Sequence, residues 1–280
     1  MGSDRKLIRA RALAVSSFIP ATLLQAYTFN AGLEESDTAA YAPHPYFLRA
    51  FFAMQAGLQI YWISQLFHRK ARLVRREENG MLLTNEAVAS PEPTQMAYVQ
   101  MYSLGNIFTV VSTLGWVNKQ LPLSQVVNAA CQLFFVFYTL DPSGVFTKTR
   151  NNRLTHLVVK TNAGISVLYL WKAWGALELE ASRPTIQQQV HCGVLFLLLT
   201  LASGPDPTLG IWLLLDLAAL VAGNTRDEWK FAFLCITGVL FVVILSDSMM
   251  ARRNPPPPND FAHARIDVED EEELALHGSD

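Results

Sequence analysis

Residues 231–245 read FAFLCITGVLFVVIL, and the apolar run around them, from about Trp229 to Met249, is closed by Arg252 and Arg253. A soluble protein would have to bury this run on every side. A bilayer accounts for it more simply, because about 20 apolar residues cross the hydrocarbon core. Working outward, further runs of this kind cover about Leu13–Phe29, Pro45–Phe67, Met96–Val117, Leu121–Leu140, Leu154–Trp174, Gln187–Ala202 and the short Leu209–Ala222. Each is bounded by charges, prolines or polar clusters. Gly204-Pro205-Asp206-Pro207 separates the last two of these, since two prolines so close cannot continue a straight helix. Composition agrees. The 280 residues are 51% hydrophobic and 16% charged, against about 25% charged in soluble domains, and the mean hydropathy is +0.20. The expected fold is an all-α polytopic membrane bundle of about eight transmembrane helices.

Orientation follows from Lys and Arg near the helix ends. Arg5, Lys6, Arg9 and Arg11 precede the first run. Arg69, Lys70, Arg72, Arg75 and Arg76 follow the second, Lys148, Arg150 and Arg153 follow the fourth, and Arg252 and Arg253 follow the last. With eight spans these segments share one side, which puts both termini in the cytosol. Arg49, Lys119, Lys172, Arg183, Arg226 and Lys230 are assigned to the opposite loops. The first run has no small-residue cleavage site followed by a soluble domain, so it reads as a helix rather than a signal peptide. The transmembrane domain is 1–253. Residues 254–280 read as a disordered cytosolic tail, with prolines at 255–258 and an acidic block around Glu269–Glu273.

A net charge of −2 argues against a nucleic-acid partner. Cys131, Cys192 and Cys235 each sit inside an apolar run with no CxxC, so neither a disulfide framework nor a zinc site is expected. Walker A, GxGxxG, GxSxG, HExxH and histidine-box patterns are missing, as is a DDxxD-type aspartate pair for magnesium. No metal and no cofactor are expected.

Polar groups at membrane depth are costly and face the bundle interior, so function is sought there. Gln55 and Gln59 stand four apart with Trp62 on the same face. Asn106 stands four after Tyr102. Gln125, Asn128 and Gln132 share a stripe, as do Thr155, Asn162, Ser166 and Tyr169. Gln55, Gln59, Trp62, Asn106, Asn128, Gln132 and Asn162 are the candidate ligand-binding set; the bland alternative is hydrogen-bonding between packed helices. Among ionisable groups, Asp216 lies deep in the seventh run and Asp247 in the last turns of the eighth. A carboxylate costs about 2.5 to 3.5 kcal/mol at such depth on insertion scales. These two are the candidate catalytic acids.

In chain size, in its helices without large loops, and in isolated intramembrane acids without a diphosphate motif, the chain resembles the small membrane terpene cyclases of fungal meroterpenoid pathways. The likeness covers the helical body. Family members are usually counted as seven helices, so eight is a departure, and no motif matches residue by residue. The resemblance implies a metal-independent enzyme of the isomerase or lyase type that opens an epoxidised prenyl chain by protonation and cyclises it. The substrate would be a hydrophobic prenylated molecule, the location the endoplasmic reticulum membrane, and the partners other pathway enzymes there. A neutral carboxylic acid such as Asp216 can protonate an epoxide oxygen, with Asp247 as supporting acid or base. Aromatic faces stabilise a carbocation, and a dry cavity shields it. The alternative is a small multi-pass transporter or a lipid- or small-molecule-binding protein built on the same polar stripes. A third reading is a membrane assembly factor whose acidic tail recruits a partner.

Overall fold

The computed structural model describes residues 2–30, 39, 41–67, 93–118, 123–139, 153–177, 185–202, 207–224 and 226–253. Among these the chain is all helical, with no strand. Its helices are α1 (Gly2–Asn30), α2 (Pro45–Gln65), α3 (Pro93–Val117), α4 (Leu123–Thr139), α5 (Arg153–Leu177), α6 (Ile186–Ala202), α7 (Pro207–Gly223) and α8 (Asp227–Arg253). The tail from residue 254, Asp141, Asp206 and the basic residues 69–76 lie outside the described residues.

Helix α1 starts well before the expected Leu13, because Arg, Lys, Leu and Ala are strong helix formers and no breaker precedes Pro20. Pro45 occupies the first turn of α2, where its missing N–H costs nothing. Thr185 and Gln188 open α6 as a capping box. The Thr185 hydroxyl accepts the Gln188 N–H at 3.2 Å, and the Gln188 side chain accepts the Thr185 N–H at 2.8 Å. Between α7 and α8 the Asn224 side chain accepts the Arg226 N–H at 3.2 Å, a local turn that lets the two helices fold back on each other.

Two helical stretches, Arg5–Asn30 and Asp227–Met250, are long and apolar enough to cross a membrane, which makes the chain a candidate for membrane association. Gln125–Phe135, Ile186–Leu201 and Pro207–Gly223 are apolar but shorter. Helices α2, α3 and α5 have the length, yet carry Gln55, Gln59, Asn106, Lys160, Asn162 and Lys172, the polar load that lowers their hydropathy.

Helix α5 is the centre of the packing. It lies against α2, α3 and α4 on one side and α7 on the other. From Val158 to Leu168 every one of its side chains is buried. Helix α1 packs on α3 and α2, α7 on α8, and α6 sits outermost, against α7 and α8. Glycines set the closest approaches. A Cβ at Gly175 would stand 2.0 Å from the Tyr41 carbonyl oxygen, and one at Gly223 would stand 2.3 Å from both the Ala42 oxygen and the His44 nitrogen. The segment 41–44 therefore lies directly on the ends of α5 and α7. The His44 N–H donates to the Ala219 carbonyl at 2.9 Å. Tyr41 is enclosed by aromatic rings, Trp229 at 4.6 Å, Phe233 at 5.4 Å and Trp171 at 6.5 Å.

The distribution of polarity is inverted relative to a soluble domain. Large apolar side chains stand exposed on outer faces, among them Leu23, Ile60, Val111, Phe134, Leu198 and Phe231, while Gln55, Gln59, Asn106, Asn128, Gln132 and Asn162 are buried. Scattered exposed apolar residues are normal on soluble proteins; faces of them along most helices are not.

Candidate functional site

The stripes on α2, α3, α4 and α5 meet in one cavity. Gln55, Gln59, Asn106, Asn128, Gln132 and Asn162 all line it. Helical spacing brings this about: residues three or four apart share a face, and each helix turns its amide face inward. Asn162 is the hub. Its Oδ1 accepts the Gln59 amide at 2.8 Å and also accepts the Gln55 amide. The Gln59 oxygen in turn accepts the Tyr102 hydroxyl at 2.6 Å. Asn106 donates to the Ser17 hydroxyl on α1 at 3.3 Å, and the Ser166 hydroxyl donates to the Asn162 carbonyl at 2.8 Å. Gln132 lies across Gly105 of α3, where a Cβ would meet its amide nitrogen at 2.6 Å.

Among the described residues of this lining, two buried hydrogen-bonding atoms have no partner, the Gln55 Oε1 and the Tyr169 hydroxyl. A buried polar group without a partner costs about 1–3 kcal/mol. Both are therefore open to a ligand or water. The cavity itself is about 30 Å³, room for a water or two; with narrow clefts and its open side the unfilled space is about 470 Å³.

Trp62, the seventh residue of the expected set, stands one turn beyond the lining. Its indole N–H donates to the Thr155 hydroxyl at 3.0 Å, and its carbonyl accepts the Gln95 amide at 2.6 Å. Its ring packs 4.8 Å from Tyr102 and 5.8 Å from Tyr98. Trp62 closes one end of the polar interior.

The two acids lie elsewhere. Asp216 is on the opposite side of α5 from the amides. It is 0% exposed, and neither carboxylate oxygen has a hydrogen-bond partner. One turn before it, Trp212 packs on Gly164 of α5 and edge-on against Phe51 of α2 at 5.7 Å. One turn after it, Ala219 receives the His44 N–H. Its surroundings on α7 are Leu213, Leu217 and Leu220, all buried. Asp247 is half-buried near the far end of α8. Ile244 lies beside Gly210, and α7 and α8 run antiparallel. Asp216 and Asp247 are thus separated along the helix axes by roughly 13 Å, at 1.5 Å per residue. The structure does not bring them into one site, and neither lines the amide cavity.

Some site residues were missed by the sequence reading. Helix α1 contributes Ala21, Thr22 and Gln25 to the cavity. The small or polar series Ser17, Ala21 and Gln25, each four apart, was the available signal. Lys172, assigned above to a loop, is a correction: it lies within α5 and is 5% exposed. Its ammonium stands 4.7 Å from the Trp116 ring, so its long side chain folds along an aromatic wall.

Protein-family models, characterised proteins and solved structures were all compared with the chain, and none of them matches it.

Proposed function

We propose that the chain is a multi-pass membrane protein of the endoplasmic reticulum that binds a small molecule within α1–α5, as a carrier or receptor. The observation that carries this reading is the convergence of seven carboxamides, Gln25 included, on one cavity, with hydrogen-bonding capacity left over at Gln55 and Tyr169. Apolar outer faces support burial of most helices in lipid. The basic clusters support cytosolic termini.

The test has two parts. Single cysteines at Lys119 and Lys148, in a background with Cys131, Cys192 and Cys235 replaced, should label from opposite sides of intact microsomes; labelling from one side refutes the topology. Small molecules extracted from the purified protein should lose at least one species in Asn162→Leu. Identical extracts from the two proteins refute binding at the amides.

A second reading rests on Asp216. A fully buried carboxyl without a partner has no evident structural use, and a membrane terpene cyclase needs such an acid to open an epoxide. Microsomes fed epoxidised prenyl-phenols would then yield a product of unchanged mass and shifted retention, and Asp216→Asn would abolish it. Full turnover by that variant removes Asp216 from any such role. Asp247 would act at a distance from this acid, so its own Asn variant should leave the first protonation intact.

A further inference from the structure

We propose that the N-terminal part of α1 is a docking surface for an anionic phospholipid. Arg5, Lys6 and Arg9 would hold its phosphate, and its acyl chains would lie along the outer face of the helix. The inference rests on the membrane reading above and is independent of what the amide cavity binds.

Helix α1 carries four cations, Arg5, Lys6, Arg9 and Arg11, and one acid, Asp4. The fold itself uses Arg11. Its Nε–H donates to the Leu66 carbonyl at 2.9 Å, and its guanidinium stands 5.0 Å from the centre of the Phe67 ring. Arg5, Lys6 and Arg9 are exposed, and among the described residues no carboxylate pairs with them. Arg5 and Arg9 stand one turn apart on the same face, with Lys6 beside them. Arginine forks grip phosphate oxygens bidentately, and lysine adds a point charge. The first N–H groups of α1 have no helical carbonyl to bond and add to the positive potential there.

The same face continues as an apolar wall. Beyond Arg9 it presents Ala12, Ser16, Ile19 and Leu23, all exposed. Ala10 and Ala14, on the opposite side, are buried, and α1 packs on α3 and α2. Bulky Ile8 and Ile19 flank the small Ala12 and Ser16, which leaves a shallow furrow for an acyl chain. Ile19 lies roughly 15 Å beyond Arg9 at 1.5 Å per residue, half of a hydrocarbon core about 30 Å thick. A headgroup at Arg9 therefore sets its chains against α1 down to the bilayer midplane.

Charge decides the headgroup. A choline would bring its own ammonium against three cations, whereas a glycerol headgroup leaves the phosphate as the lipid's sole charge. The other exposed cations Arg49 and Lys230 stand on different helices, α2 and α8, and do not form such a group.

The probe is palmitoyl-oleoyl phosphatidylglycerol, compared with the phosphatidylcholine of the same chains. The full chain in detergent micelles is titrated with each lipid, and bound lipid is counted by native mass spectrometry. One cation near a membrane surface gives about a 5-fold preference, so three should favour phosphatidylglycerol by about 100-fold. Added salt should shrink that gap. Replacing Arg5, Lys6 and Arg9 together by Gln should erase it, while Arg49→Gln with Lys230→Gln should retain it. Equal binding of the two lipids to the native chain overturns the proposal and leaves the multi-pass reading standing. A preference that the triple variant keeps overturns it as well, because the charge responsible then lies elsewhere. Retention of neither lipid overturns both the proposal and the assignment of this face of α1 to lipid. The lipid ratio on the native chain decides the matter even where the triple variant does not fold.

Discussion

The two sides of α5 solve the same problem in opposite ways. On the side facing α1–α4, buried amides and hydroxyls answer one another: Asn162 serves Gln55 and Gln59, Gln59 serves Tyr102, and Trp62 serves Thr155. On the side facing α7, packing is largely apolar and glycine-mediated, and the carboxyl of Asp216 there has no hydrogen-bond partner. The lesson is that burial of polar groups is not itself a mark of function. A satisfied network rigidifies a bundle; the proposed sites rest instead on the remainder, the oxygen of Gln55, the hydroxyl of Tyr169 and the carboxyl of Asp216.

The strongest way to break the comparison is at the joint shared by both sides. Gly175→Ala sets a methyl group 2.0 Å from the Tyr41 carbonyl, a backbone atom that cannot swing away. It should cost about 3 kcal/mol or more, measured by thermal unfolding in detergent. Gly238→Ala, with nothing within 4 Å, is its control and should be neutral or stabilising by up to about 1 kcal/mol. Next comes Asp216→Leu. Removing an unanswered polar group should stabilise the protein by about 1–3 kcal/mol, the opposite sign from most core substitutions. Destabilisation would mean that the carboxyl is held by a partner and belongs with the satisfied groups. Asn162→Leu strands the donors of Gln55 and Gln59 and should cost about 1–3 kcal/mol. Adding Gln59→Leu should return part of that loss, and strict additivity would show that the pair does not interact. Trp62→Phe removes the bond to Thr155, worth about 0.6 kcal/mol on the average found for hydrogen bonds between membrane helices, along with part of the buried ring against Tyr98 and Tyr102, and should cost at least that. The excess measures the packing role of Trp62 beyond its indole N–H.

The amide side was legible in the sequence because helical periodicity is local. Gln55 and Gln59, or Asn128 and Gln132, declare a common face by spacing alone. Helix α1 was less legible: its contribution rests on Ala21 and Thr22, residue types that carry no signal by themselves, with only Gln25 to mark the face. Lys172 was misread because a cation near the end of an apolar run is as consistent with a loop as with a side chain folded along an aromatic wall. The separation of Asp216 from Asp247 could not be read at all. It depends on the register of α7 against α8, which Gly210 and Ile244 set through side-chain fit rather than through any pattern along the chain. The expected eight-fold repetition of apolar runs does correspond to eight helices among the described residues. Their individual hydropathy varies because the inward-facing polar load falls on α2, α3 and α5.

Gly164 has a consequence for observation. It lies two residues from Asn162, on the opposite face of α5, and the Trp212 indole rests on it without any intervening side chain. A displacement of α5 caused by an occupant on the amide side is thus transmitted directly to a fluorophore on the other. The emission of Trp212, isolated by replacing the remaining tryptophans with phenylalanine, would serve as a built-in optical gauge of occupancy, read without a label and without knowing what the occupant is.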